Sequence, residues 1–521
     1  MGKEDAFEEI KFPYLQLAIL IIGTFMAVLD NSIVNVAIPK METALNSNTN
    51  QIQWVITAYM LVSGITIPMT SWLSDKFGSK QLFTYSLIFF TIGSTLCGMA
   101  WNLPSMILFR IIQALGGGFL MPLANTLLYK IFPPEKRGGV MGIFGLAVML
   151  APAFGPLLSG YFVQYASWRL IFYMNLPLGV VGAFLSIFVL HDFNDKSASK
   201  LDAWGLALSS IGLFSLLYGF TNVSSNGWRS TSVYPYLIVG SLLLIILVAV
   251  ELKVDKPLIE FRVLKDYLLS MSVVITSLVQ LTMFVSLFLL PLYFENILEY
   301  TPEKTGIFMT PAALISAVFM VAGGLLLNRV GARLLAVVGL TMTLITTYGF
   351  AFLDVNTPSS HLQILYIFRT IGVSLALMPV MAAGMNRLPN DLISQASGLS
   401  NTIRQVASSL GTAIFTYYEA HRTLIHESEM ASQYNPGSPK GLELNGLESN
   451  LMQHGMSAAQ AHVSALETVL GIIDQNSFVA AINDTFMVGT ILTAISLVLT
   501  FFFNDKQYSK AREGTHITMM E

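Results

Sequence analysis

The chain has 521 residues, 54% hydrophobic and only 11% charged, with a formal net charge of −3 and a mean hydropathy of +0.64. A soluble domain carries about 25% charged residues, so an ordinary water-soluble globule is excluded and a polytopic membrane protein remains. The single cysteine, Cys97, rules out a disulfide within the chain and argues against a Cys-based metal site; no metal and no nucleic-acid partner is expected.

Met1 to Lys11 is short and acidic. The apolar run after it, Pro13 to Ile38, is too long for a signal-peptide core and lacks a small-residue cleavage site, so it is expected to be retained. Ala6 stands where a myristoylation signal needs Ser or Thr. A span needs about 20 mostly apolar residues. Fourteen candidates begin near residues 14, 53, 82, 104, 139, 168, 203, 234, 268, 305, 332, 360, 397 and 482. With the N-terminus in the cytoplasm, most of the 28 Lys and Arg fall in cytoplasmic loops. An even number of spans puts both termini there, and Lys506, Lys510 and Arg512 agree. The expected organisation is a six-helix bundle over 1–192, two inserted helices with their linkers over 193–262, and a second six-helix bundle over 263–521.

Asp30 lies well inside span one. An ionised carboxylate in hydrocarbon costs about 2.5–3.5 kcal/mol on insertion scales, and such acids face a bundle interior or a water path, where they handle protons or substrate. The competing reading is an acid snorkelling towards a helix end. Span four offers a partner, Arg110. Asp30 is nine residues before Pro39, about 13 Å from the outer end; Arg110 is six residues after Pro104, about 9 Å deep. The two charges therefore sit at similar depth on helices of opposite direction. A neighbouring cation favours the charged form of a carboxylate, and separation or loss of water favours the neutral form. That is the basis of a proton switch. Gln113 shares the Arg110 face and extends the network.

The loop after span two, Ser71-Trp72-Leu73-Ser74-Asp75-Lys76-Phe77-Gly78-Ser79-Lys80, is echoed after span ten by Gly324-Leu325-Leu326-Leu327-Asn328-Arg329-Val330-Gly331-Ala332-Arg333. Leu, an Asp or Asn, a base, Gly and a final base fall at matching places. Two six-helix halves explain the repeat, and parallel repeats of this kind mark secondary transporters with substrate bound between the halves near mid-membrane. Gly78 permits a tight reversal, and Asp75 can cap a helix or pair with a base. Asp75, Lys76, Gly78, Lys80, Arg329 and Arg333 read as a gating latch. Span five carries Pro152, Gly155, Pro156, Ser159 and Gly160, small residues and prolines that allow close helix contact and kinking. Trp168 and Arg169 read as an interfacial anchor without a transport role.

In the second half, Arg369 matches the depth of Arg110, Arg404 lies in the inner part of span thirteen, and Glu295 lies near the outer end of span nine after Pro291. Glu295 is a candidate proton group and equally an interfacial acid. The polar segment 418–478 is expected outside, with a helical excursion over 456–472. Its His421, His426, His454 and His462 lack metal-like spacing. No G-x-x-x-x-G-K-[ST], H-E-x-x-H or C-x-x-C motif is present, so ATP does not drive the chain directly.

Leu29-Asp30-Asn31-Ser32-Ile33-Val34-Asn35-Val36-Ala37-Ile38-Pro39 closely resembles the first-helix signature of the major facilitator superfamily's fourteen-helix drug:proton antiporter branch, the EmrB/QacA type. The resemblance covers nearly the whole chain. The two loop repeats are similar to the superfamily's cytoplasmic loop motif, with Ser71 for its leading Gly and Asn328 for its Asp. Arg110 to Gly118 resembles the motif linked to proton transfer, and Pro152 to Gly160 resembles the antiporter motif, with Ser159-Gly160 for its usual Gly pair. The resemblance implies an all-α major facilitator fold in a bacterial cytoplasmic (inner) membrane, with the proton as coupling ion and no other cofactor. Asp30, Arg110 and Glu295 would then be the proton-coupling set. Met26, Asp30, Trp54, Thr57, Gln113, Gln280, Met283 and Phe284 would contact an amphipathic, lipophilic and often cationic substrate. The 25 Met and 34 Phe suit an adaptable apolar cavity. A lipid, fatty acid or siderophore-like metabolite is the alternative cargo. In a Gram-negative envelope such relatives often work with a periplasmic adaptor protein; nothing in the sequence requires one. A membrane enzyme or sensor is the remaining class, but no converging catalytic set or attached soluble domain is visible.

Overall fold

The computed structural model describes residues 11–193, 202–254, 257–435 and 437–504. The first ten residues and the C-terminal Lys506, Lys510 and Arg512 used for orientation lie outside these, as do parts of the linkers on either side of the inserted helices. Among these residues fourteen long helices follow one another. The first six are α1 (Pro13–Ala44), α2 (Trp54–Phe77), α3 (Ser79–Met99), α4 (Leu103–Ile131), α5 (Pro134–Tyr165) and α6 (Asn175–Val189). Then come α7 (Ala203–Asn226) and α8 (Tyr234–Glu251). The last six are α9 (Tyr267–Asn296), α10 (Pro302–Val330), α11 (Ala332–Gly349), α12 (Ser359–Met385), α13 (Asn390–Ala431) and α14 (Ala458–Phe502).

Local chemistry sets the boundaries. Asn102 and Ser105 form a reciprocal capping box at the start of α4, with Pro104 in its first turn. Asp266 caps α9 by accepting from the Leu269 amide at 2.9 Å. Gly78 is the single residue between α2 and α3, at φ +93°; Gly331 does the same between α10 and α11, at φ +87°. A side chain there would strain the backbone, which is why the repeat keeps glycine at both places.

Thirteen of these helices, α6 counted together with the preceding turn from Leu170, are long and apolar enough to cross a membrane; α13 is the exception among the fourteen. It packs against α2, α4, α7, α9 and α14, so helices rather than lipid surround much of it and its Ser, Asn, Arg and Gln residues are tolerated. Three boundaries depart from expectation. Helix α1 runs through Pro39 to Ala44. Helix α13 starts seven residues earlier than the expected 397 and continues past Tyr418. Helix α14 starts at Ala458, not near 482, so the expected excursion over 456–472 is mostly its first part. Ser457 and Gln460 form the capping box that starts α14, and no proline interrupts its 45 residues. At 1.5 Å per residue it is about 68 Å long, more than twice the hydrocarbon thickness. Among the described residues, only Pro439–Gln453 forms a separate helix between α13 and α14.

The two halves meet chiefly along α5 and α10, which run antiparallel. Gly138 faces Gly324, and a Cβ at Gly142 would lie 2.7 Å from the Val321 Cα. Gly145 faces Met320, and Gly160 lies opposite Glu303 at the other end. Small residues let the backbones approach closely. The second seam joins α2 and α4 to α13. Ser71 donates to the Ser394 carbonyl at 2.9 Å, and Ser397 to the Pro122 carbonyl at 3.3 Å. Arg137 Nη1 reaches Asn386 Oδ1 at 3.5 Å. These three bonds lie towards the face at which α1 begins, here called the near face. Helices α7 and α8 pack on each other, and α7 leans on α2 and α13.

Candidate proton site

Asp30 on α1 and Arg110 on α4 meet in the interior of the first bundle, 0% and 1% exposed. Arg110 Nη1 donates to Asp30 Oδ2 at 2.5 Å and to Gln113 Oε1 at 2.7 Å, while its Nε donates to the Val55 carbonyl of α2 at 3.0 Å. Gln113 Nε2 donates to Asp30 Oδ1 at 2.8 Å. Both carboxylate oxygens are thus held, and Gln113 touches acid and base at once. Charge-assisted bonds of this kind are about twice as strong as neutral ones, and a low-dielectric interior strengthens them further. Two aromatic faces complete the surround: the Arg110 guanidinium carbon lies 4.3 Å from the Tyr59 ring centroid and 5.8 Å from that of Phe172. Cys97 Sγ points at Gln113 Oε1, 3.6 Å away. Nothing in the spacing of Tyr59, Val55 or Cys97 singled them out. They become visible only when α2, α3 and α4 are packed.

The Pro152 and Gly155 motif of α5 packs on α1 just beyond the acid. Ser32 Oγ donates to the Pro152 carbonyl at 3.0 Å. A Cβ at Gly155 would lie 2.6 Å from the Ser32 Cβ, so glycine is what lets α5 approach. Gly160 lies further along, opposite Glu303, and the side chain of Pro156 is outside the described residues.

The other expected site residues are scattered. Met26 and Thr57 are buried, Met26 within an apolar core that spans both halves. Trp54 is 40% exposed and its ring lies 6.0 Å from that of Tyr218 on α7, so it faces the inserted pair. Gln280, Met283 and Phe284 are half-buried on α9, Met283 against the core of the second half. Glu295 is half-buried near the end of α9 and has no hydrogen-bond or ion-pair partner among the described residues; the structure does not bring it to Asp30 or Arg110. In the loop repeats, Lys76 Nζ lies 4.6 Å over the Trp72 ring, Lys80 is half-buried and Arg329 is exposed. Asp75 and Arg333 each engage a neighbour, and the Asn328 side chain lies outside the described residues.

Of the four histidines in the segment 418–478, His421 and His426 lie on α13, His462 on α14 and His454 between them. His426 and Arg422 on α13 converge on Asp484 of α14, at 2.8 and 2.5 Å. His421 stacks on Tyr417, His462 contacts Glu448 at 2.7 Å and His454 bonds the Asn450 carbonyl.

A buried acid–base pair between two helices of one bundle, an all-helical two-bundle architecture and paired loop repeats are together the features of a membrane transporter fold. The sequence model of the Major Facilitator Superfamily matches residues 20–412, and the chain belongs to that family. It is 36% identical over 514 residues to the uncharacterized MFS-type transporter YhcA of Bacillus subtilis (strain 168), covering 98% of this chain and 96% of that one. It is 30% identical over 468 residues to the multidrug export protein EmrB of Escherichia coli (strain K12), covering 88% and 90%. The resemblance to the EmrB/QacA type is thereby borne out. Among solved structures, the human organic anion transporter MFSD10 superimposes with a TM-score of 0.58 at 12% identity, covering 92% of this chain and 99% of that one. That likeness concerns the fold alone.

Proposed function

We propose that the protein is a proton-coupled multidrug exporter that exchanges entering protons for amphipathic lipophilic compounds by alternating access. One observation carries the reading: a fully buried carboxylate whose two oxygens are held by Arg110 and Gln113. The near face is then cytoplasmic, both termini lie there, and the membrane is the bacterial inner membrane. A proton arriving from outside binds Asp30 and removes the charge that Arg110 pairs with. Gln113 Oε1 stays on Arg110 Nη1, so the guanidinium keeps a partner while α1 is released from α4. The Ser32–Pro152 contact passes a movement of α1 to α5, and α5 carries it to α10 in the other half. Loss of the proton to the cytoplasm restores the pair. The multidrug export named for EmrB supports the efflux direction.

The test is efflux from everted vesicles under an imposed pH gradient. The parent should accumulate a lipophilic dye, and Asp30→Asn should not. An Asp30→Asn variant that transports as well as the parent removes Asp30 as carrier.

A further inference from the structure

The two halves keep the same arginine but treat it differently. In the first half, Gly93 of α3 packs on the backbone of Gln113, three residues after Arg110. In the second half, Gly339 of α11 packs on the backbone of Gly372, three residues after Arg369. Arg369 is therefore the structural twin of Arg110, and it is equally hidden, at 2% exposure against 1%.

Its partners differ. Arg369 Nε donates to Thr347 Oγ1 at 3.1 Å and Nη2 to the Thr282 carbonyl at 2.8 Å. The place of Gln113 is taken by Gly372, and the place of Asp30 by no acid. Among the described residues no carboxylate pairs with Arg369 and nothing accepts from its Nη1. A guanidinium has five N–H donors, and only two are used here. A buried cation without a counter-charge is costly in a membrane interior, and an anion that pairs with it removes much of that cost. The first half answers its arginine with a side chain of the protein. The second half offers no such side chain among the described residues. Helix α12, which carries Arg369, also borders the first half: a Cβ at Gly145 of α5 would lie 2.6 Å from Met378 Cε.

We infer that Arg369 is the binding point for an oxyanion, such as a carboxylate, borne by an amphipathic transported molecule, with Thr347 holding the guanidinium in place. The cargo range then includes amphipathic organic anions and zwitterions as well as cations. This inference rests on the exporter reading, but its readout is equilibrium binding without a proton gradient, so a failure of coupling and a failure of this site are separate results.

The experiment measures binding of decanoate, decanol and acetate to purified full-length protein in detergent at fixed pH, in the parent, Arg369→Lys and Arg369→Met. The parent should bind decanoate at least about tenfold more tightly than decanol, the preference expected of a charge-assisted hydrogen bond, and at least about tenfold more tightly than acetate, which lacks the apolar chain. Arg369→Met should lose that preference while still binding decanol, and Arg369→Lys should keep part of it. Equal affinity of the parent for decanoate and decanol would overturn the inference without any variant. So would an unchanged preference in a monodisperse Arg369→Met protein. Acetate binding as tight as decanoate would overturn the amphipathic cargo and leave a small-anion site.

Discussion

Ser32, two residues beyond Asp30 on α1, donates its hydroxyl to the Pro152 carbonyl of α5 at 3.0 Å. The helix that carries the acid is thereby tied to the helix that forms the main seam with the other half. The contact exists because Gly155 has no side chain: a Cβ there would lie 2.6 Å from the Ser32 Cβ and 3.1 Å from the Ile33 amide.

Gly155→Val should therefore push α5 off α1. Overpacking of this kind costs about 1–3 kcal/mol, which the fold should survive. Proton-driven dye efflux should fall much further than thermal stability does. A variant that loses neither would show that this contact does not transmit the movement.

The pair itself should behave as a unit. Breaking a buried ion pair by removing one partner costs about 3–5 kcal/mol. Asp30→Asn and Arg110→Met should each lower the thermal midpoint in detergent. The double variant should be more stable than the sum predicts, by about 1–3 kcal/mol. Additive losses would mean the two side chains do not pair.

The near-face seam is open to a direct lock. A Cβ at residue 398 would lie 2.8 Å from Ser71 Oγ, within reach of a disulfide, whose Cβ atoms are about 3.8 Å apart. Ser71→Cys with Gly398→Cys should crosslink on oxidation, since the native Cys97 is buried elsewhere. Transport should stop when the crosslink forms and return on reduction. Transport at the parent rate by the oxidised protein would contradict opening at this face.

The contact of Arg422 and His426 with Asp484 should matter less. Arg422 and Asp484 are about one-third exposed, and exposed pairs contribute roughly 0.2–1 kcal/mol. Asp484→Asn should lower the thermal midpoint only slightly and leave efflux near the parent level. A large loss of efflux would assign this outer contact a role in the cycle.

The sequence disclosed what depends on local pattern. Apolar length located the spans, glycine marked the reversals at Gly78 and Gly331, and a charge in hydrocarbon singled out Asp30 and Arg110. It was less informative where packing replaces lipid. Helix α13 is polar because helices surround it, and α14 runs on past the apolar stretch because a capping box at Ser457 starts it and no proline stops it. Tyr59 and Val55 are ordinary residues of an apolar helix until α2 is laid beside α4. Trp54 pointed to a pocket by chemistry alone, yet it turns to Tyr218 because the inserted pair occupies that side of α2.

Proton release from purified protein in detergent, measured on addition of an exported dye, tests the central claim most directly. Substrate should displace a proton from the parent, and Asp30→Asn should release none. Arg110→Met should release less or release it at a different pH. Equal release from the parent and Asp30→Asn, in dye-binding proteins, would contradict exchange through this carboxylate.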